Sequence, residues 1–172
     1  MPIINFFTSN TNGCSCNNGN RTIILNSPKT TNVTQVERIA QFKSVGSTVI
    51  QSGEIIPLNL TQFNNISQSV VLTNQGTISL LEQGVYLIQY NVVVSNLNTV
   101  PVDVIVSLVK NSNPIVTLSS SVSTVEADAT ITISNSIINS VVSGSTQELQ
   151  LINSSTDELN IISANVVISK IT

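Results

Sequence analysis

Few residues of this chain have side chains that could do chemistry. Cys14 and Cys16 are separated by one residue near the N-terminus, and they are the only two thiols among 172 residues. A pair of thiols can form disulfides or contribute ligands to a metal site. The chain has no histidine, which excludes Ser-His-Asp and Cys-His catalysis and histidine-based metal sites.

The spacing of the two cysteines favours a cross-link between copies of the chain. A disulfide between Cys14 and Cys16 would close a very small and strained ring, so thiols on other chains are geometrically easier partners. The alternative is a pair of free, unreactive thiols on a polar arm. Two cysteines also cannot complete a zinc site without ligands from other subunits. We therefore expect an intersubunit disulfide, with no metal and no cofactor.

The acidic residues are the remaining candidates for catalysis or calcium binding. Glu126 and Asp128, together with Asp103 and the neighbouring Asp157 and Glu158, could be imagined as calcium ligands or an acid–base pair. Their spacing does not match a calcium-binding loop, and we place them at turns. Solvent-exposed turn residues are the simpler interpretation. We predict no catalytic residue and no enzymatic activity.

The composition is that of a β-rich, extracellular or self-assembling protein. Hydrophobic residues make up 41% of the chain, whereas aromatic residues make up 3% and charged residues 9%. The net charge of −3 repels neighbouring copies only weakly. Six basic residues spread along the chain form no nucleic-acid footprint. No apolar stretch approaches the about twenty residues of a membrane span, so neither nucleic acid nor membrane is an expected partner.

The first 36 residues differ from the rest of the chain. An apolar plug near the start is followed by a polar linker, residues 8–20, that contains both cysteines and two Asn-Gly turn signals. About ten such residues would span about 35 Å when extended. The plug consists of Ile3, Ile4, Phe6 and Phe7. We expect it to dock into an apolar groove of a neighbouring subunit; the alternative is that it folds back over its own domain. The segment also lacks the basic region and the long apolar run of a secretory signal peptide.

The centre of the chain, residues 84–94, is the strongest strand pattern. Gly84 precedes ten residues that are almost all strand formers. The first face of this strand consists of Tyr86, Ile88, Tyr90, Val92 and Val94, and the second of Val85, Leu87, Gln89, Asn91 and Val93. The second face is apolar at its ends and polar in the middle. We predict an inner strand of a sandwich, with the first face on the core and the second near a partner.

Short strands separated by turns fill the chain from about residue 38 onward, without a convincing helical pattern. The predicted strands are 38–50, 54–61, 68–73, 77–81, 85–95, 102–110, 114–121, 128–142, 146–153 and 159–171. This arrangement predicts an all-β sandwich, jelly roll or barrel. The last strand runs nearly to the C-terminus, which leaves the N-terminal arm as the free appendage.

The strand order resembles the TNF/C1q-type jelly roll, in the bacterial version that caps the collagen-like glycoprotein of the Bacillus exosporium. The resemblance rests on residues 42–60, 78–90 and 165–171 and covers about residues 40–172. Gly84, Tyr86 and Tyr90 match the core-strand signature of that family. The resemblance implies a TNF/C1q-like β-sandwich that forms a homotrimer through its jelly-roll faces.

The N-terminal segment departs from the collagen-like members of the family, because no Gly-X-Y repeat precedes the jelly roll. Its layout resembles instead the subunits of bacterial endospore appendages, in which an N-terminal connector engages the neighbouring ring or trimer. We therefore divide the chain into a connector, residues 1–36, and a jelly-roll domain, residues 37–172.

This second resemblance implies a structural protein. It would be a fibre subunit at the spore surface or elsewhere outside the cell, assembled from within a mother cell without a secretory signal. Its partners would be its own copies, with a spore-surface anchor protein and a tip protein. The alternative is a trimeric binding head that its N-terminus anchors to a spore surface or fibre tip.

Overall fold

The computed structural model describes residues 38–44, 46–112 and 115–171, and every regular element within these ranges is a β-strand. The strands are β1 Ile39–Lys43, β2 Thr48–Ile50, β3 Leu60–Asn64, β4 Val70–Asn74, β5 Thr77–Leu80, β6 Gly84–Ser95, β7 Val102–Ser112, β8 Ile115–Val125, β9 Thr130–Val141, β10 Gln147–Asn153 and β11 Leu159–Lys170. No helix in the described part of the chain could cross a membrane. The all-β prediction is confirmed.

The strands form two antiparallel sheets. The front sheet has the order β3-β1-β11-β6-β9, and β2 also pairs with β11. The back sheet has the order β4-β5-β10-β7-β8. Strand β6 lies between β11 and β9 and pairs with both along nearly its whole length. The prediction that this segment is an inner strand of a sandwich is therefore confirmed.

The core lies between the two sheets and follows the period-two pattern of the strands. All five residues of the first face of β6 are buried, and Val92, Val94 and Ile88 are completely inaccessible to solvent. Alternate residues of β11, among them Ile161, Val166 and Ile168, pack in the same core. Each such aliphatic side chain contributes about 1.5–3 kcal/mol when it is fully buried. The core consists mainly of Val, Ile and Leu, whose branched side chains suit a pleated surface.

Two predicted strands are wrong in their bounds. The segment 38–50 is divided into β1 and β2, because Gly46 turns the chain with φ 87° between them. The segment 54–61 contains the isolated bridge of Ile55 with Ile152 and, at its end, the start of β3 at Leu60. Pro57, which has no backbone N–H to donate, interrupts this segment. Other strands differ from their predicted ends by a few residues, and β8 continues to Val125.

The turn between β4 and β5 requires glycine. Gly76 has φ 91°, and a Cβ atom built on it would lie 2.5 Å from Cγ2 of Ile55 and 2.9 Å from the carbonyl oxygen of Ile56. Both the left-handed backbone and the lack of space exclude a larger residue. The segment before β3 thus packs directly against this turn.

The predicted connector lies outside the described residues. This applies to the apolar plug of Ile3, Ile4, Phe6 and Phe7 and to Cys14 and Cys16. The proposed boundary between residues 36 and 37 precedes Arg38, the first described residue. These assignments stay predictions.

Candidate assembly surface

The residues that match the family's core-strand signature lie in β6. They are Gly84, which is the first residue of the strand, Tyr86 and Tyr90. The phenol group of Tyr90 reaches across the core, 3.4 Å from the carbonyl oxygen of Val106, to which it donates, and 3.2 Å from Oγ of Ser121. Val106 and Ser121 belong to the back sheet. Tyr90 therefore joins the two sheets by a polar contact at the end of a buried aromatic ring.

Tyr86 lies at the end of the core beside the ion pair of Lys170 and Glu82. Its hydroxyl donates to the carbonyl oxygen of Glu82 at 2.8 Å, and Nζ of Lys170 lies 5.8 Å from the centre of its ring. Nζ of Lys170 is 2.7 Å from Oε2 of Glu82, which also accepts a hydrogen bond from Oγ of Ser69. The Lys170 side chain is 9% exposed, whereas that of Glu82 is 47% exposed. This polar cluster attaches the end of β11 to the loop between β5 and β6.

The pKa values of Glu82 and Tyr86 both differ from their ordinary values. Hydrogen bonds from Lys170 and then from Ser69 lower the pKa of Glu82 below its ordinary value, because they stabilise the carboxylate. Burial raises the pKa of Tyr86, because the phenolate would be poorly solvated. These contacts favour the ionised carboxylate of Glu82 and the neutral phenol of Tyr86. We therefore assign the polar cluster a structural role.

The outer face of the front sheet, which we call the front face, carries the second face of β6. Its apolar residues lie where β6 begins and β11 ends, and also on β3, where Leu60 and Phe63 are 42% and 52% exposed. Leu87 lies opposite Ile138 of β9, and the N–H of Ile171 donates to the carbonyl oxygen of Val85. Ile138 is 64% exposed and Ile171 55% exposed. Leu87 and Val85 are half-buried. A contiguous apolar region of this kind is typical of protein–protein contacts.

The centre of the front face is polar but uncharged. Side-chain amides and hydroxyls of the three neighbouring strands β11, β6 and β9 line a shallow depression of about 430 Å³. Nε2 of Gln41 donates to Oδ1 of Asn165 at 2.8 Å. Among the described outward-facing residues of β1, β6, β9 and β11, Lys43 is the one that carries a charge. The front face therefore combines half-exposed apolar groups with groups that can both donate and accept hydrogen bonds.

The acidic candidates do not converge on a site. Glu126 and Asp128 are exposed in the turn between β8 and β9, where Asp128 has φ 55°. Asp103 is not in a turn; it lies in β7 and accepts a hydrogen bond from Oγ1 of Thr124 at 2.7 Å. Within the described ranges, no three His, Cys, Asp or Glu side chains could together hold a metal ion. The interpretation of Glu126 and Asp128 as exposed turn residues is confirmed.

Two buried asparagines organise loops and were not singled out from the sequence. Nδ2 of Asn96 donates to the carbonyl oxygens of Val100, Val125 and Glu126 at 2.9, 3.0 and 3.1 Å. Asn153 is completely buried, and its Nδ2 donates to the carbonyl oxygens of Ile50 and Asp157. Each Oδ1 accepts from the backbone N–H two residues ahead, the geometry of an Asx turn. In a chain so rich in Asn, only their position at the end of a strand could have distinguished them, since Asn96 follows β6 and Asn153 is the last residue of β10.

Comparisons with known proteins agree with this architecture. No protein-family model matches the chain, and no curated protein matches it in sequence. Its structure is similar to that of Eiger TNF from S. frugiperda, with a TM-score of 0.66, 13% identity and coverage of 79% of this chain and 93% of that one. It is also similar to the globular domain of zebrafish complement 1qA protein, with a TM-score of 0.59, 12% identity and coverage of 78% and 98%. Murine APRIL gives a TM-score of 0.56, 11% identity and coverage of 78% and 99%.

These similarities concern the fold, because the identities are low. None of these three similar proteins is described as a spore-surface protein or a fibre subunit. Together with the two antiparallel sheets and the strand order described above, they assign the architecture of the described residues. The chain is an all-β jelly roll of the TNF/C1q type.

Proposed function

We propose that this protein is a structural subunit that assembles with copies of itself. In this proposal, jelly rolls associate through the front face into a homotrimer, and the N-terminal connector links trimers end to end into a fibre. The observation that carries it is the front face itself, which is half apolar and has Lys43 as its one described charge. A surface of this kind can meet its own copy without electrostatic repulsion.

The size of the front face is comparable to that of a stable contact. Strands β6, β9 and β11 have 12 residues each, whereas β1 and β3 have five residues each. At a strand spacing of about 4.8 Å and a rise of about 3.4 Å per residue, these strands cover about 750 Å², close to the roughly 800 Å² per partner of a standard protein–protein interface. The TNF/C1q-type resemblance implies that three copies meet.

The position of Arg38 supports an end-to-end link. The N–H of Lys170 donates to the carbonyl oxygen of Arg38 at 2.9 Å, so Arg38, the first described residue, lies at the end of the front sheet where β11 finishes. A connector that leaves one end of a rigid domain and binds another copy makes a head-to-tail contact. Such a contact produces an open filament when it does not close on itself. Docking of Ile3, Ile4, Phe6 and Phe7 into a neighbouring subunit would supply its apolar part.

We assign two further roles to the connector and its surroundings. Cys14 and Cys16 would lock the joint by intersubunit disulfides once the assembly is in an oxidising environment. The resemblance to exosporium and endospore-appendage proteins suggests a fibre at the spore surface, with an anchor protein at its base and a tip protein at its end.

The test is negative-stain electron microscopy of the full-length chain without an N-terminal tag, beside a variant lacking residues 1–19. We expect beaded fibres of uniform width from the full-length chain and discrete small oligomers from the shortened one. Discrete oligomers from both would contradict the fibre and favour the anchored binding head. Fibres from both would show that the connector is not the link.

A matched pair of substitutions tests the front face separately. Ile138 of β9 and Val122 of β8 are each 64% exposed, but only Ile138 lies on the front face. We expect Ile138→Lys to give monomers in size-exclusion chromatography with light scattering, because it would place a charge in the contact. Val122→Lys should keep the oligomer. The opposite pattern would move the contact to the back sheet.

A further inference from the structure

The polar centre of the front face is built by registered positions on neighbouring strands. Gln41 pairs with Val167, which pairs with Gln89, which pairs with Ser136. The adjacent row of outward-facing residues, two positions along the strands, consists of Lys43, Asn165, Asn91 and Ser134. We call Gln41, Gln89, Asn91 and Asn165 the amide patch. It lies between the apolar end described above and Val93, so it is enclosed within the front face.

The amide patch is chemically unusual for the middle of an association surface. A side-chain amide that loses water on association must regain its hydrogen bonds, or the contact is weakened. Within one chain, Gln41 donates to Asn165, whereas Gln89 and Asn91 are exposed. Each amide has an oxygen that accepts and a nitrogen that donates. The same patch on a second copy therefore offers every partner that this patch needs.

We propose that the amide patch meets the amide patches of the other copies, and that their hydrogen bonds set the register and the number of subunits. This inference rests on the proposed association through the front face. A uniform apolar surface would tolerate sliding between copies, because apolar contact is not directional. A polar residue inside an apolar seam penalises every register in which it lacks a partner, as a buried asparagine does in coiled coils. The occupant of the patch is a second copy of this chain.

The first test replaces the exposed amides by apolar residues of similar size. We expect Gln89→Met with Asn91→Leu to convert one oligomer into a mixture of stoichiometries in native mass spectrometry, with no loss of thermal stability. The matched control is Thr132→Val, an exposed front-face position of β9 outside the patch. It should keep the single stoichiometry. A double variant with the same single stoichiometry as the unmodified protein would overturn the inference.

The second test measures proximity. In a chain carrying Cys14→Ser and Cys16→Ser, we expect Asn91→Cys to give chains cross-linked by a short bis-maleimide on a denaturing gel. Val122→Cys serves as the reference for random collision. Cross-linking of Asn91→Cys at or below that of the reference would overturn the inference.

The two proposals fail in different ways. If Ile138→Lys leaves the oligomer intact, the association through the front face is wrong, and this inference fails with it. If Ile138→Lys gives monomers while the double amide variant keeps one stoichiometry, only the role of the amide patch is wrong. A normal circular dichroism spectrum and melting transition for each variant show that the jelly roll itself has folded.

Discussion

Single polar residues hold the loops of this domain in place. Asn96 is 3% exposed and bridges two loops, because its amide reaches a carbonyl oxygen of the loop between β6 and β7 and two carbonyl oxygens where β8 ends and the loop to β9 begins. The two N–H groups of this amide are shared among three backbone acceptors, which makes the side chain hard to replace. The neighbouring Leu97 and Val100 stay exposed at 66% and 59%. Asn96 therefore keeps the backbone of this loop ordered without covering its apolar side chains.

We expect Asn96→Ala to destabilise the folded state by about 2–3 kcal/mol, because three carbonyl oxygens, that of Val125 among them in a buried hydrogen bond, lose the side-chain amide to which they are bonded. The free energy of unfolding in urea measures the effect. Asn98→Ala is the matched control in the same loop, since Asn98 is exposed and contributes its backbone N–H rather than a buried amide. Equal losses for the two variants would contradict the role of the Asn96 side chain.

The polar cluster at Glu82 predicts a loss of stability in acid. A carboxyl whose pKa is lowered on folding stabilises the fold above its ordinary pKa of 4.5, and this contribution disappears as the pH falls through the lowered value. We expect Glu82→Gln to reduce the dependence of the melting temperature on pH below about 4.5. Glu126→Gln, in an exposed turn, is the comparison variant. An unchanged acid dependence in Glu82→Gln would show that other groups cause it.

At the scale of the element, β6 has two faces with different tasks. Its first face is buried from Tyr86 to Val94, and its second face carries the polar centre of the front face. The period of two, visible in the sequence, decides which residues lie on each face. Neighbouring residues of the same type should therefore respond differently to the same substitution.

Val92 and Val93 form such a pair. Val92 is completely buried, whereas Val93 is half-buried on the front face. We expect Val92→Ala to cost about 2–3 kcal/mol of folding stability, because it leaves a cavity in the core. Val93→Ala should cost less than about 1 kcal/mol in folding and should instead weaken association. Urea unfolding and mass measured against protein concentration separate the two effects. Similar folding losses at both positions would contradict the assignment of the faces.

At the scale of the whole molecule, the scarcity of charge is the property that bears on the proposed assembly. Charged residues are 9% of the chain, and the net charge is −3. Contacts between copies would then depend on apolar groups and neutral hydrogen bonds, which salt does not screen. Low repulsion between copies also favours close packing in a fibre.

We accordingly expect the oligomer to keep its mass from about 0.05 M to about 1 M NaCl, where the screening length falls from over 10 Å to about 3 Å. Light scattering at fixed protein concentration measures it. Dissociation at high salt would show that ion pairs, such as one made by Lys43, hold the copies together.

The sequence alone determined the class of the fold and the content of its core. Local pattern carries this information, because alternation of apolar residues specifies a strand and glycine and asparagine mark its turns. The buried face of β6, with Tyr86 and Tyr90, was predicted in this way and is confirmed. The exposed turn at Glu126 and Asp128 followed from the same local signals.

Contacts between distant segments were decided only by the tertiary structure. Lys170 and Glu82 are 88 residues apart, and Gln41 and Asn165 are 124 residues apart. Strand order and register bring each pair together, and neither quantity is encoded in the local pattern of one strand. The position of β3 depends likewise on its pairing with β1. The strand pattern predicted a polar centre on the second face of β6, but the amide patch, which spans β1, β11 and β6, appeared only once the sheet was assembled.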